Sequence, residues 1–419
     1  MTSRERVNCA VNHRDPDRVA LDFGGASCTT MHASCIAKLR DYYGLEKRLV
    51  KVADPFMMIG IMEEDLLDVL KIDTCGVEGP DTLFGYRNEN WKEWRMPDGT
   101  TVLVGEGFQA VDDGSGGYYL YPQNDVTVPP SGHMPPNGFY FDLLSRQEEP
   151  ENGEFELKDN LTEFQPFTQE LCDHYKERAA AARKSGRYVI AAFEGTALGD
   201  VVRVVEPWEK HPKGLRDTTE WMMSVVSDPE YIKSIFDYEV DMAIENLKKL
   251  DRETAKNIDA VLICGTDFGM QRGLFYSYES VKDVFIPYYK RLNRWIHENL
   301  GWKTLKHSCG SNAPIIPLLI EAEFDCLNPV QCSAAGMDPV YLKKEFGKDI
   351  VFWGGGVDTQ KVLPFGTTEE VREQVLKRLE IFSPGGGYVF NAIHNVQPGT
   401  PPENLAAMFD AVNEFNGIK

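Results

Sequence analysis

The chain has 419 residues, 42% hydrophobic and 26% charged, a composition that supplies a sizeable globular core. Sixty-five acidic residues outweigh 44 basic ones and leave a formal charge of -21. Such a surface repels nucleic acid and anionic membranes, because phosphate binding needs clustered Lys and Arg, so neither is expected as a partner.

The opening segment, MTSRERVNCAVNHRDPDRVAL, is charged and lacks the apolar centre of a signal peptide. No run of about 18 apolar residues offers a membrane span. Nine cysteines, an odd number, are scattered through apolar segments with no C-x-x-C pair. That pattern points to free thiols in a reducing cytoplasm, not to a disulfide framework or a zinc ribbon.

In chain order, RVALDFGG (18–25) is the first predicted strand, followed by the helical ASCIAKLRDYYGL. Helical GIMEEDLLDVLKI leads into a second strand at DTCGVEG. The helix CDHYKERAAAARKSG precedes YVIAAFEGT (188–196), and DPEYIKSIFDYEVDMAIENLKKL precedes DAVLICGTDFG (259–269). Next come KTLKHSCGSN (303–312), FDCLNPVQ (324–331), DIVFWGGGVDTQ (349–360) and GYVFNAIHNV (387–396). Helical patterns such as PIIPLLIEA and EEVREQVLKRLEIF separate them. Continuous apolar strands alternating with helices predict a parallel sheet covered on both faces. Eight such units predict closure into a (β/α)8 TIM barrel, one domain over residues 1–419. An open doubly wound sheet is the alternative, although no G-x-G-x-x-G follows the first strand.

Residues 81–165 break the rhythm after the second strand. PDGT between WKEWRM and TVLV signals a β-hairpin, and GSGGYYLYPQ and VPPSGHMPPNGFYFDLL read as a long loop. The aromatics of this insertion either wall a substrate pocket over the barrel mouth or pack the insertion onto the barrel.

In a barrel, the C-terminal strand ends carry function because eight loops converge there. The polar residues expected at those ends are Asp22, Asp73, Glu194, Asp267, His307 with Cys309, Asn328 with Gln331, Asp358, and His394. His307 and Cys309 stand two apart on a strand, so both side chains share a face. An imidazole nitrogen and a thiolate suit Zn²⁺, and a catalytic zinc needs three protein ligands and an open position. His394 is the third candidate ligand, across the mouth. The alternatives are a satisfied core histidine beside a core cysteine, or a nucleophilic Cys309 assisted by His307. Glu194 and Asp267 are candidates for general acid/base work, or for helix capping and pairing with Arg203 or Arg272. Asp358 follows Gly354, Gly355 and Gly356, where a ligand could approach the backbone closely. With Gln331 and Asn391, it makes up the candidate substrate-binding set.

The segments TDFGMQRGLFYSYESVKDVFIPYYKRL, LKHSCGSNAPIIPLLIEAEFDCLNP and GGGYVFNAIHNVQPGTPPENL together resemble the uroporphyrinogen decarboxylase superfamily. RVALDFGG resembles its methyltransferase-like members. The resemblance implies a (β/α)8 barrel with one of two chemistries. Decarboxylases of the family use no metal and grip propionates with an N-terminal arginine-rich motif. Here DFGGASCTT stands in that place. The other branch holds zinc methyltransferases that work with corrinoid proteins and carry H-x-C followed by a distant cysteine. His307-Ser308-Cys309 matches the first part, and His394 replaces the distant cysteine. A related O-demethylase pattern, E-x14-E-x20-H, is met in spacing by Asp358, Glu373 and His394, with Asp in place of the first Glu. The resemblance therefore implies Zn²⁺, a corrinoid protein as partner and a small methylated substrate; the aromatic insertion and the His in place of the distant cysteine point to the demethylating direction, and an aromatic methyl ether would fit such walls. A methylcobamide:thiol methyltransferase and a metal-free lyase are the alternatives. Residence in the cytoplasm is expected, and self-association into a homodimer is compatible with the fold.

Overall fold

The computed structural model describes residues 1–150, 153–193, 195–263 and 266–418. Its main sheet is built from β1 (Ala20–Leu21), β2 (Thr74–Val77), β3 (Tyr188–Ala191), β4 (Ala260–Ile263), β5 (Lys303–His307), β6 (Cys326–Asn328), β7 (Val351–Trp353) and β8 (Tyr388–Phe390). All eight lie in the segments expected from the sequence, and all neighbours run parallel, in the order β2-β3-β4-β5-β6-β7-β8-β1. The remaining seam closes between β1 and β2. There the Asp73 amide donates to the Leu21 carbonyl at 2.8 Å, and the Leu21 amide donates to the Asp73 carboxylate at 3.0 Å. The sheet is thus a closed (β/α)8 barrel, not an open doubly wound sheet.

Alternation along each strand divides the core in two. Inward residues, among them Ala20, Ile190, Ala260, Leu305, Val351, Trp353 and Val389, form one buried cluster inside the ring. Val7, Ala10 and Val11 of helix Ser3–Val11 pack against its N-terminal end. Outward residues such as Leu21, Val189, Val261, Leu327, Phe352 and Phe390 join the larger core under the surrounding helices.

Asp73 departs from its expected place. It precedes β2 and so lies at the N-terminal end of the barrel, where it binds Arg6 at 2.7 Å and Arg18 at 2.9 Å. This acid fixes the barrel floor and is remote from the mouth.

Between β2 and β3 the chain forms a hairpin pairing Lys92–Arg95 with Thr101–Val104, turning through Gly99 at φ +87°. A four-stranded antiparallel sheet follows, built from Val111–Asp112, Tyr118–Leu120, Gly132–Met134 and Asp142–Leu143. Trp94 packs edge-on against Phe108 at 5.0 Å, and Phe84 and Phe108 pack against Phe141 at 6.3 and 6.2 Å. Phe84, Phe108 and Phe141 are buried, whereas Phe139 and Tyr140 are exposed. The Phe141 amide donates to the Phe56 carbonyl at 2.9 Å, which ties this piece to the segment following β1. Among the described residues, no helix is long and apolar enough to cross a membrane.

Candidate metal centre at the barrel mouth

Above the inner apolar cluster, the inward positions turn polar. Asp22, just past β1, is fully buried and accepts hydrogen bonds from Thr74 Oγ1 at 2.5 Å and Trp353 Nε1 at 2.7 Å. Asn391, just past β8, is also fully buried and donates its amide to the carbonyls of Asp22 and Thr29. These residues form a buried polar floor under the mouth.

On that floor stand His307 at the end of β5, Cys309 two residues on, and His394 four residues beyond β8. Their ligand atoms all lie within 4.8 Å of one another. His307 Nε2 is 3.6 Å from Cys309 Sγ, and the two imidazole rings meet edge to face at 5.2 Å. Of the groups described, this is the one set of three His, Cys, Asp or Glu side chains close enough to share an ion.

Hydrogen bonds hold both the turn that carries Cys309 and the two imidazoles. Asp267, from the loop after β4, accepts the Cys309 amide at 2.6 Å. Gln331, from the loop after β6, accepts the Gly310 amide at 2.7 Å. Asn312 donates to the carbonyls of Ser308 and Cys309 at 2.6 and 2.8 Å. Asn328 at the end of β6 meets His307 Nδ1 at 2.7 Å, and Asn395 Oδ1 meets His394 Nδ1. Gly310 has φ +84°, and a Cβ there would sit 2.3 Å from the carbonyl of Gly269. Glycine is required because two loop backbones cross at this point.

Burial favours the neutral form of each group in this centre. It pushes the His307 imidazole down to about 4, against the bond to Asn328. The His394 imidazole is likewise pushed down to about 4, by burial first and then by His307. Both rings are therefore neutral near pH 7, the form that can offer a lone pair to a metal. Burial, then Asp267 and Cys28, push the Cys309 thiol well up. A divalent cation is the kind of group that would bring it down again. Burial also raises the Asp267 carboxyl, against the Cys309 amide and Lys306.

The donor set fits zinc. A tetrahedral ion with Zn–S near 2.3 Å and Zn–N near 2.0 Å holds its N and S ligands roughly 3.5 Å apart. The Nε2–Sγ separation of 3.6 Å is close to that edge. Three protein ligands would leave a fourth position of such an ion open.

The other expected residues fall into place unevenly. Asp267 and Gln331 touch the turn carrying Cys309. Asn391 lies in the floor, with its amide committed to two backbone carbonyls. Asp358 bonds the Gln360 amide at 2.8 Å and offers its own amide to Gln374 at 2.7 Å, which makes a turn. Glu373 is exposed on helix Thr368–Phe382. The structure does not bring Asp358 and Glu373 together with His394, so that spacing does not describe a second metal site. The glycines before Asp358 serve packing: a Cβ on Gly356 would meet the Phe390 ring at 2.3 Å. Glu194 lies outside the described residues.

Three mouth residues escaped the sequence reading. Glu78 follows β2 and continues the inward parity of Thr74 and Gly76. Burial raises its carboxyl, against a bond from the Ser27 amide. Cys28 points its thiol at Asn328 Oδ1, 3.6 Å away. Asp54, from strand Val52–Asp54 before β2, is pushed up to about 7 by burial, with Glu78 adding repulsion. The parity of TCGVE, read strictly from Thr74, would have exposed Glu78. Nothing in the sequence pattern marks Cys28 or Asp54.

Comparison with known proteins matches residues 211–415 to the uroporphyrinogen decarboxylase (URO-D) family. Curated relatives include a uroporphyrinogen decarboxylase of Pseudoalteromonas translucida, 36% identical over 89 residues, covering 20% of this chain and 24% of that protein. Another, of Ruthia magnifica, is 23% identical over 198 residues, covering 45% and 51%. The chain thus spans about half, or less, of the length of these relatives. Among solved structures, a methyltransferase from Methanosarcina mazei aligns over 99% of both chains with a TM-score of 0.54 and 13% identity. At that identity the likeness establishes a shared fold.

Proposed function

We propose that this chain, whose residues 211–415 match the uroporphyrinogen decarboxylase (URO-D) family, is a zinc-dependent methyltransferase of O-demethylase type. It would move a methyl group from a small donor, an aromatic methyl ether in the first instance, to the cobalt of a corrinoid protein. The observation that carries this reading is the two-nitrogen, one-sulfur cluster of His307, Cys309 and His394 at the mouth of a parallel barrel. A metal-free decarboxylase has no need of such a donor set.

His307, Cys309 and His394 would hold the ion. Zinc bound there supplies Lewis acidity to the donor oxygen. Asp267, which accepts the Cys309 amide and whose carboxyl is raised by burial, would supply the proton to the oxygen that loses its methyl group. Glu194, at the end of β3 in sequence, is the second candidate for that role. Gln331 and Asp358 would be the substrate contacts, with Asn391 supporting the site from the floor. In the net reaction a C–O bond breaks, a C–Co bond forms, and a proton ends on the released hydroxyl. The corrinoid protein would dock over the mouth, in the cytoplasm.

A metal-free lyase is the second reading, and the decarboxylase relatives favour it. Against it, residues 22–30 after β1 contain no Arg or Lys to grip a polyanionic porphyrinogen. The test is to incubate the zinc-loaded chain with Co(I) cobalamin and a panel of methyl ethers, and to follow methylcobalamin by its absorbance. Parallel reactions offer methylcobalamin with thiols, and uroporphyrinogen alone. Donor-dependent methylcobalamin supports the proposal. Thiol methylation alone reverses the direction, and decarboxylation alone replaces the methyltransferase with the lyase.

A further inference from the structure

We infer that Asn328 is a positioning residue that fixes the His307 imidazole as an Nε2 donor. The inference rests on the metal-site reading above, but its central measurement does not require a metal.

His307 and Asn328 are register partners on neighbouring parallel strands, β5 and β6. Both are buried, Asn328 completely. Parallel pairing brings their inward side chains together, and His307 Nδ1 lies 2.7 Å from Asn328 Oδ1.

Which atom of the asparagine faces the ring decides where the imidazole proton sits, and the surroundings settle it. The other end of the carboxamide faces the carbonyl of Trp353 at 3.0 Å. A carbonyl can only accept, so that end must be the NH₂ group. The end facing His307 is therefore the oxygen. The Cys28 thiol, 3.6 Å from the same oxygen, agrees, since it is a donor that burial keeps protonated. An oxygen opposite Nδ1 requires Nδ1 to carry the proton. The lone pair then lies on Nε2, the nitrogen 3.6 Å from Cys309 Sγ.

Asn328 thus does for His307 what a carboxylate or carbonyl commonly does behind a metal-bound imidazole: it selects the tautomer and holds the ring plane. A neutral carboxamide does so without adding charge to a buried site. The support is rigid because the Trp353 carbonyl belongs to β7, the next strand. Strand register, not a loop, sets the ring.

The test uses the full chain with ¹⁵N-labelled histidine, after chelation of metal. The His307 signals are identified by their loss in His307→Gln. Wild type is expected to show protonated Nδ1 and unprotonated Nε2. Asn328→Leu, which removes the acceptor, should populate the Nε2–H form and weaken zinc binding about 10- to 100-fold in chelator competition. Asn328→Asp keeps an oxygen opposite Nδ1, so it should retain the Nδ1–H tautomer.

A wild-type His307 protonated on Nε2 would overturn the inference, as would Asn328→Leu with unchanged tautomer and zinc affinity. If Asn328→Leu does not fold, the wild-type spectrum and Asn328→Asp decide. If wild type takes up no zinc, the metal reading fails while the tautomer still answers for Asn328.

Discussion

Asp267 accepts the backbone amide of Cys309 at 2.6 Å, which joins the loop after β4 to the one after β5 at the point where a metal-binding thiol would sit. The acid both steadies the turn and places a titratable oxygen beside the centre. Burial raises its carboxyl, so it holds a proton more readily than a surface aspartate.

Asp267→Asn keeps the size of the side chain and removes the transferable proton. If Asp267 is the general acid, kcat falls by at least about 100-fold, the low end of what such groups contribute. Zinc content stays at the wild-type level. Steady-state kinetics and metal analysis on one preparation check both halves.

The histidines make a prediction about acid stability. His307 and His394 are held at about 4 in the fold, below the ordinary 6.5. Unfolding at low pH lets each take up a proton, so their contribution is full above pH 6.5 and shrinks as pH falls toward 4. The slope is at most about 1.4 kcal/mol per pH unit for each ring. Urea midpoints of the metal-stripped chain should drop between pH 7 and pH 5, and less so in His394→Gln. Equal slopes in the two proteins would contradict this.

A second buried group acts in the opposite direction. Glu239 is 1% exposed, and its Oε2 has no hydrogen-bond partner among the described residues. Burial and Glu163 raise its carboxyl well up, while burial lifts Glu163 to about 8, against Arg203 and Arg216. A raised carboxyl supports the fold at low pH and costs stability as pH climbs through the folded value. Glu239→Gln should therefore stabilise the protein at pH 8 and change little at pH 5. Urea midpoints at those two pH values check it.

Gly310 should tolerate no side chain. Gly310→Ala would place a Cβ 2.3 Å from the Gly269 carbonyl, in a backbone conformation at φ +84° that alanine disfavours. A loss of roughly 2 kcal/mol or more is expected, with reduced zinc retention because the crossing that positions Cys309 is displaced. Thermal melting and metal content measure both.

The barrel was legible because its strands are short apolar runs, each followed by a turn and a helix, and that rhythm survives the insertion between β2 and β3. The pairing of His307 with Cys309 was legible because a period of two needs no tertiary knowledge. His394 was reachable once β5 and β8 were placed on one ring. The rest depended on where strands begin. DTCGVEG offers an acid at each end, and Thr74–Val77 makes Asp73 the floor and Glu78 the mouth. Asn391 looks like a ligand-facing amide in the sequence, but its partners are carbonyls that only the closed ring brings near. The spacing of Asp358 and Glu373 to His394 carried no geometry, because Glu373 is exposed on helix Thr368–Phe382.

The central claim is that His307, Cys309 and His394 form a zinc site, and zinc content tests it most directly. Elemental analysis would be run on protein purified without added metal, for wild type and for His307→Ala, Cys309→Ser and His394→Ala. The account predicts about one zinc per chain in wild type and loss of most of it in each variant that keeps its fold. Well-folded wild type that holds no zinc and resists reconstitution would contradict it.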